Sequence, residues 1–276
     1  DPLQLGYLQP YRALIERLWR ECLRLDDPAL TEAIFQGVVT SADKIYHLTK
    51  LGRGRYRCAP KDGDPFEVQI EDAVMKELVS GVEARRYEQA ETETYLLFPY
   101  EPDDRGVTAL IPADGFSDKY PHAWGYLKRW ERQLRDRENG KMDRDADWWG
   151  YVYPKNLDKH DRPKLIVPRL VERLRCSIDD SGGRYLDNVD VGGVVPCDGT
   201  DQAFLAASLN APVADFVFRA IAKPFRGDYR SANKQFIAPL PIPNASPEDR
   251  ADVAGKARSL QTRWKHRRDL LRAATE

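Results

Sequence analysis

The stretch Gln36-Gly37-Val38-Val39-Thr40 begins a region rich in strand signals, and this region decides the fold class. Short β-branched or aromatic runs follow it, each bounded by Gly, Pro or Asp, a pattern typical of strands in a globular domain. Gly52-Arg53-Gly54 is predicted to form a hairpin turn between two such runs. The predicted strands are Phe66–Ile70, Tyr95–Phe98, Thr108–Ile111, Lys164–Val167 and Val191–Val195.

Helices are predicted before and between these strands, where apolar residues recur at helical spacing. The helical segments are residues 11–25, 123–134, 201–209 and 211–222. Asn210 is predicted to cap the last of these segments. Pro212 fits its first turn, where the N–H group that proline lacks has no helical partner.

The C-terminal part is predicted to be helical after a rigid extended connector. Pro239-Leu240-Pro241-Ile242-Pro243 carries proline at alternate positions, which excludes both a helix and a sheet ladder there. Ser246 followed by Pro247 and two acidic residues is typical of a helix start. The final helix has an apolar stripe of Val253, Ala257, Leu260 and Trp264. The sequence therefore predicts an α+β fold, with a mixed sheet and a helical C-terminal part.

The composition is that of a globular protein with a densely charged surface. The 276 residues are 42% hydrophobic and 32% charged, and the formal net charge is −1. Because positive and negative charges nearly balance, a surface that binds nucleic acid must gather its cations on one face. The chain has no run of about 18 apolar residues, so neither a membrane span nor a membrane partner is expected.

Cysteine and histidine residues are too scattered to suggest a metal site. None of Cys22, Cys58, Cys176 and Cys197 has a partner at metal-ligand spacing, and the four histidines are equally dispersed. Free thiols in a reducing cytoplasm are the simplest interpretation, so a cytoplasmic location is expected. The chain begins Asp1-Pro2-Leu3, without an initiator Met or a secretory signal, which suggests a piece of a longer protein or a missing natural start.

Motifs for common catalytic chemistry are missing from the sequence. It has no dinucleotide or Walker phosphate loop, no nucleophile elbow, no His-Glu-x-x-His and no Asn-Pro-Pro-Tyr type loop of amino-methyltransferases. The acidic clusters at 143–147 and Asp179-Asp180 are interpreted as solvated loops, because neither brings a third ligand type or a lysine at nuclease spacing. No catalytic residue and no metal ligand is predicted, and a free-standing enzyme is disfavoured.

Basic residues concentrate between Phe216 and Phe236, around Gly227, where Asp228 is the single acid. Arginine, lysine, asparagine and tyrosine in a glycine-containing loop are residue types that grip phosphates and read base edges. An ordinary solvated loop is the alternative. The predicted DNA-binding residues are Arg226, Tyr229, Arg230, Asn233 and Lys234, with Lys44, Arg85, Arg86 and Lys164 in second rank.

Five stretches of the chain, taken in order, resemble one known family. They are Gly37–Tyr46, Leu78–Tyr87 with Tyr95–Tyr100, Tyr126–Trp130 with Leu134, Arg162–Pro168, and Leu205–Pro243. The chain resembles the C-terminal specificity domain of TaqI-like adenine DNA methyltransferases, which type IIG restriction-modification enzymes and phage-defence methyltransferases share. Ser41 stands where the family usually has Gly, and Ala211 where it has a small hydroxyl residue.

The resemblance implies a DNA-reading module joined to a catalytic domain outside this chain. That domain, N-terminal to Asp1, would bind S-adenosylmethionine and flip the target adenine, so no cofactor is expected in this chain itself. The implied partners are double-stranded DNA and the methyltransferase domain of the same protein. The implied regions are an N-terminal helical connector (1–35), a DNA target-recognition domain (36–244) and a C-terminal helix (245–276).

A second hypothesis keeps the fold and changes the function. The apolar stripe of the final helix, with Trp264, is a feature of modules that dock partner subunits, here those of a phage-defence methyltransferase complex. Binding to DNA through phosphates weakens steeply with salt, whereas docking through an apolar stripe does not. A salt titration therefore separates the two hypotheses.

Overall fold

The computed structural model describes residues 11–188 and 191–275. Its helices are α1 (Arg12–Glu21), α2 (Asp43–Tyr46), α3 (Ala113–Lys119), α4 (Pro121–Arg129), α5 (Glu131–Arg135), α6 (Arg137–Gly140), α7 (Gln202–Asn210), α8 (Pro212–Ile221), α9 (Lys234–Ile237) and α10 (Pro247–Ala273). Its strands are β1 (Leu23–Arg24), β2 (Thr31–Gln36), β3 (His47–Gly52), β4 (Arg55–Cys58), β5 (Phe66–Gln69), β6 (Met75–Val79), β7 (Thr94–Leu97), β8 (Tyr100–Pro102), β9 (Thr108–Leu110), β10 (Lys164–Pro168), β11 (Leu170–Val171), β12 (Ser177–Asp179), β13 (Arg184–Leu186), β14 (Val191–Pro196), β15 (Arg230–Ser231) and β16 (Pro241–Ile242).

Two larger sheets organise the described residues. One has six strands in the order β13-β6-β7-β3-β4-β5, and the other has four in the order β12-β10-β14-β2. β13 runs parallel to β6, with Tyr185 beside Leu78, and the other neighbours in the six-stranded sheet are antiparallel. The prediction of an α+β fold with a mixed sheet and a C-terminal helix is therefore confirmed.

Each large sheet has its own hydrophobic core. The four-stranded sheet packs against α7 and α8, with Phe204 and Phe218 among the buried residues, and α10 covers α7 through Ala254 and Ala257. The six-stranded sheet packs against α3 and α4 and against residues 148–151. Burying each large apolar side chain contributes about 1.5–3 kcal/mol, so these contacts are the main support of both layers.

The predicted glycine hairpin is present in the structure, whereas the first predicted strand is displaced. The Gly52–Gly54 hairpin joins β3 to β4, with Gly54 at φ 65°. The first predicted strand is displaced: β2 ends at Gln36, and Val38 and Val39 form only isolated bridges. A Cβ atom on Gly37 would lie 2.2 Å from the Leu186 carbonyl oxygen, so the chain leaves the sheet at a close backbone crossing that only glycine permits.

The proline-rich connector is extended, as predicted, but the exclusion of a ladder is wrong. β16 pairs antiparallel with β1, with Ile242 opposite Leu23 and Pro241 opposite Arg24. Proline removes only its own N–H donor, and the carbonyl groups and the intervening N–H of Ile242 stay free to pair. The same pairing ends the predicted helix of residues 11–25 at Glu21.

Of the two helix caps predicted from the sequence, one is confirmed and one is wrong. Ser246 caps α10, accepting a hydrogen bond at 3.1 Å from the Asp249 N–H. Asn210 does not cap α8, which begins after Ala211. Its side-chain amide instead accepts from the Cys176 N–H at 2.9 Å and donates to the Cys176 carbonyl at 3.1 Å, so it holds α7 to the chain just before β12.

A buried ion pair lies between β10 and β12. The Lys164 ammonium is 2.6 Å from a carboxylate oxygen of Asp179, and both side chains are fully buried. The ammonium also donates to the His160 carbonyl at 2.6 Å, and Arg184 of β13 reaches the same carboxylate at 3.1 Å. Because Arg184 belongs to the six-stranded sheet, Asp179 joins the two sheets through charge.

His160 lies beside this ion pair, fully enclosed. Its ring stacks on Tyr185 at 5.0 Å between centroids, and its Nδ1 accepts a hydrogen bond from the Leu186 N–H at 3.3 Å. Burial, and then the positive charges of Lys164 and Lys159, lower the pKa of His160 to about 3. The folded protein therefore keeps this imidazole neutral, with its proton on Nε2.

No single helix within the described ranges has the length and apolarity to cross a membrane, and α7 and α8 reach those values only when joined across a 63° bend.

We expect Asp179→Asn to destabilise the fold more than Lys164→Met. Asp179→Asn leaves the enclosed Lys164 without an anion, while Arg184 keeps only its longer contact with Glu77 at 3.7 Å, and should cost about 3–5 kcal/mol in urea denaturation. Lys164→Met leaves Asp179 with Arg184 and should cost about 1–3 kcal/mol. Asp180→Asn, on the exposed neighbour, is the control and should change stability by less than about 0.5 kcal/mol. The reverse order of the two core variants would contradict the assignment of Asp179 as the shared anion.

The free energy of unfolding should fall as pH falls below 6.5, the ordinary pKa of histidine. In the unfolded chain His160 then binds a proton, whereas in the folded chain it binds that proton only near pH 3. One such proton gives a slope approaching about 1.4 kcal/mol per pH unit. His160→Phe should remove that part of the slope between pH 6.5 and about 5, where other groups titrate alike in both proteins. Equal slopes in the wild type and in His160→Phe would contradict a neutral His160 in the folded protein.

Candidate nucleic-acid interface

Residues 223–231 form a short hairpin that presents several predicted DNA-binding side chains. The Phe225 N–H donates to the Tyr229 carbonyl at 2.8 Å, and the Ser231 N–H donates to the Lys223 carbonyl at 3.2 Å. Gly227 stands at its tip with φ 64°, a conformation that glycine adopts without strain. The hairpin is thus ordered by its own backbone, with Arg226 and Tyr229 exposed on it.

The base of the hairpin is fixed to the segment that follows β10. β15 pairs antiparallel with β11, and the Ala232 N–H donates to the Arg169 carbonyl at 2.7 Å. Arg219, at the end of α8, donates to the Glu172 carbonyl at 2.6 Å. Residues 169–175 therefore form one strip of chain against which the basic hairpin and α8 are held.

The other side of this strip contacts the loop that carries Arg85 and Arg86. Arg86 donates to the Leu174 carbonyl at 2.9 Å, and Arg175 donates to the Ala84 carbonyl at 3.1 Å. Partial burial lowers the pKa of Arg175, and the nearby charges of Arg85 and Arg86 lower it further, while Tyr229 and Glu172 oppose them. The structure thus brings the 85–86 loop and the 223–231 hairpin together around Arg175.

Positive charge on this surface exceeds that of the nearby acids, Glu172 and Asp228, and most of its cations form no ion pair among the described residues. Within residues 11–188 and 191–275, no ion pair to a carboxylate involves Arg85, Arg86, Arg175, Arg219, Lys223, Arg226 or Arg230. Several of these guanidinium groups donate only to backbone carbonyls, which hold them in place and leave their net charge intact. Arg173 is the exception, since it pairs with the buried Asp215 at 3.0 Å. Net charge of the whole chain is near zero, so this surface is where cations segregate.

The primary set of predicted DNA-binding residues lies along the hairpin and the turn after it. Arg230 is half-buried and donates to the Ala222 carbonyl at 3.3 Å, so its guanidinium is less free than that of Arg226. Asn233 and Lys234 lie at the start of α9, beside a shallow groove that also holds Gln36.

The second-rank residues separate into three groups. Arg85 and Arg86 join the basic surface, as described above. Lys44 is exposed on α2, which packs against β3 and β7 in the other sheet. Lys164 is fully enclosed and paired with Asp179, so the prediction that Lys164 contacts DNA is corrected: an ammonium without accessible surface cannot reach a phosphate.

The two acidic clusters were both interpreted as solvated loops, and the structure departs from this interpretation at one residue. Residues 143–147 are exposed, as predicted, and Asp145 and Asp147 border a cleft that Lys141 and Asn156 also line. Asp179 is buried within the ion pair, so the solvated interpretation is wrong for Asp179 and correct for Asp180. Within the described ranges, His, Cys, Asp and Glu side chains form no group that could hold a metal ion.

Arg175 and Arg219 were absent from the predicted site. Arg175 sits in the run Glu172-Arg173-Leu174-Arg175, whose mixed charges hide a basic signal. Its role depends on contacts with residues 81–86, far away in sequence. Arg219 lies inside the predicted basic segment, and its position at the C-terminal end of an amphipathic helix was the available signal.

No protein-family model matches the chain, and no curated protein is similar to it at a significant level.

Repulsion among the cations around Arg175 should lower the free energy of unfolding. Replacing Arg85 by Gln should raise the free energy of unfolding by about 0.2–1 kcal/mol at low salt, because it relieves repulsion from Arg86 and Arg175. The gain should vanish toward about 1 M salt, where the Debye length is about 3 Å. Arg17→Gln is the matched control: Arg17 pairs with Glu21 at 2.9 Å, so its loss should bring no gain. A stability loss in Arg85→Gln at low salt would contradict the uncompensated cluster.

Proposed function

We propose that this chain is a sequence-specific DNA recognition module, of the kind found in adenine-specific DNA methyltransferases and type IIG restriction-modification enzymes. The observation that carries the proposal is the convergence of Arg85, Arg86, Arg175 and the 223–231 hairpin on one surface, where cations outnumber the acids Asp228 and Glu172. Duplex DNA carries one negative charge per about 1.7 Å of its axis and is the polyanion that such a surface fits.

The surface divides into groups that position DNA and groups that read it. Guanidinium groups held by backbone carbonyls, such as Arg86 and Arg175, would contact phosphates and fix the register of the duplex. Exposed side chains of the hairpin and the following turn, namely Arg226, Tyr229 and Asn233, would reach base edges in the major groove. Arginine pairs with guanine and asparagine with adenine by two hydrogen bonds each, which distinguishes those bases from the others.

Chemistry would belong to the rest of the parent protein. In this proposal a methyltransferase domain of the same protein, N-terminal to this chain, binds S-adenosylmethionine and receives the flipped adenine. The module closes the opposite side of the DNA cleft, and the protein acts in the cytoplasm. The resemblance of residues 37–243 to the TaqI-like specificity domain supports this division of labour.

A docking function is the second candidate, and one observation favours it. The last turns of α10 expose Leu270 by 58% and Leu271 by 53%, beside Arg263, His266 and Arg267. Exposed leucines at the end of a long helix are typical of a surface that packs against a partner subunit. The predicted stripe is rotated slightly, since Ala254 and Ala257 are buried while Leu260 remains 39% exposed.

Arg226→Ala should weaken DNA binding and reduce the slope of log affinity against log salt by about one unit, as loss of one phosphate contact does. If Arg226 reads a guanine edge instead, the loss is about 1–3 kcal/mol at one position of the site and specificity relaxes there. The measurement is a salt titration with a duplex selected from a randomised pool by the wild-type chain.

Two variants serve as controls for this titration. Arg132→Ala removes an exposed cation of α5, in the other core region, and should change neither affinity nor slope. Leu270→Asp disrupts the exposed end of α10 and should leave DNA binding unchanged while abolishing any partner docking. Wild-type affinity and slope in Arg226→Ala, or failure of the pool to enrich any duplex, would refute DNA recognition by this surface.

A further inference from the structure

Phe225 is the most exposed aromatic side chain of the described residues, with 65% of its surface accessible. None of the three buried clusters within those residues includes it or packs against it. Leaving a phenylalanine in water forgoes about 1.5–3 kcal/mol of burial, so the ring contributes little to the stability of the fold. A ring in this position is available to contact a partner.

The backbone that carries this ring is ordered by hydrogen bonds. The Phe225 N–H donates to the Tyr229 carbonyl at 2.8 Å, and Pro224 forms a bridge with Arg230 directly below. Proline at position 224 also restricts the chain immediately before the ring. Phe225 therefore projects from an ordered hairpin, with Gly227 completing the turn two residues later.

Two cations lie close to the ring in sequence, and the hairpin also carries one acid, Asp228. Lys223 and Arg226 flank it in sequence, and neither has a carboxylate partner within residues 11–188 and 191–275. A second aromatic ring, that of Tyr229, is 43% exposed on the opposite arm of the same hairpin. Cations that hold a phosphate backbone, with an apolar ring between them, are the components of proteins that unstack base pairs.

We propose that Phe225 is a wedge that inserts between adjacent base pairs of the duplex held by this surface. The inference rests on the proposed DNA-recognition function and adds to it a deformation of the DNA. Opening one base step costs a few kcal/mol, and burial and stacking of a phenylalanine ring offset a cost of that size. The wedge would make base steps that unstack easily, such as TA or CA, part of the preferred site without any hydrogen bond to them.

An anionic membrane is the rival partner for an apolar ring among cations, and the geometry favours DNA. Arg86, Arg175 and Arg219 are fixed by hydrogen bonds to backbone carbonyls at 2.6–3.1 Å. Fixed guanidinium groups suit the regular phosphate spacing of a duplex, whereas a fluid lipid surface gains nothing from that order. One phenylalanine ring also buries much less apolar surface than an acyl chain, and even a single acyl chain gives only marginal, reversible membrane binding.

The test uses the full 276-residue chain and a duplex selected from a randomised pool by the wild-type protein, with 2-aminopurine substituted at successive positions. The fluorescence of this base rises when it loses its stacked neighbour. The wild-type chain should raise the signal at one or two adjacent positions at saturation. Phe225→Ala should bind about 5- to 150-fold more weakly, as loss of one base–aromatic stack does, with no rise in signal and an unchanged salt slope.

Two further variants make the result specific. Phe225→Leu, which keeps an apolar wedge, should recover part of the fluorescence rise. Leu270→Ala removes a side chain of similar exposure from the end of α10 and should behave like wild type. Thermal unfolding of Phe225→Ala should match wild type, since the ring has no core contact.

The outcomes separate the wedge from the function on which it rests. A duplex that is bound by wild type and Phe225→Ala with equal affinity and equal 2-aminopurine signal overturns the wedge and leaves DNA recognition standing. A pool that yields no enriched duplex overturns both. The last measurement uses vesicles of phosphatidylserine and phosphatidylcholine. If the wild type binds these vesicles and Phe225→Ala does not, the ring contacts a lipid surface and the wedge is overturned.

Discussion

The enclosed contact between Lys164 and Asp179, at 2.6 Å, is the constraint on which the arrangement of the two sheets depends. Asp179 also accepts from Arg184, which lies in the six-stranded sheet, so this carboxylate links the two sheets beside the apolar cluster that Ile166 and Leu186 share. β10 leads from Lys164 into the strip of residues 169–175, and β13 runs parallel to β6, whose end leads into the 85–86 loop. Both halves of the basic surface thus follow strands that lie next to this buried ion pair.

Cations in this protein lie in two distinct environments. Lys164 and Arg137 are buried and fully bonded; the Arg137 guanidinium donates to the carbonyls of Thr40, Trp148 and Gly150 at 2.6–3.0 Å. Arg85 and Arg226 are exposed and have no carboxylate partner in the described ranges, a state that stabilises nothing in the isolated chain. The contrast supports assigning recognition to the exposed group and architecture to the enclosed one.

Sequence patterns predicted elements whose signal is local. The β-branched runs of β10 and β14, the glycine hairpin at 52–54 and the Ser246 cap all depend on neighbours within a few residues. Lys164 and Asp179 were misassigned together because each alone is an ordinary surface charge, and only their pairing across β10 and β12 removes them from water. Arg175 escaped prediction for the same reason: its neighbours in space are residues 81–86. The basic hairpin was found because its charge is contiguous in sequence.

The short ladder between Leu23–Arg24 and Pro241–Ile242 has an architectural consequence. The Trp19 indole N–H also donates to the Pro239 carbonyl at 2.8 Å. Together, the ladder and this hydrogen bond hold the two ends of the chain between β1 and β16 in a closed stem. The stem places the two ends of the intervening 216 positions, 25 to 240, next to each other, while α1 and α10 on either side pack on the core of the same stretch. Adjacent chain ends of this kind make a change in the length of a flanking connector tolerable, because the closed stem keeps the packing between its ends in register.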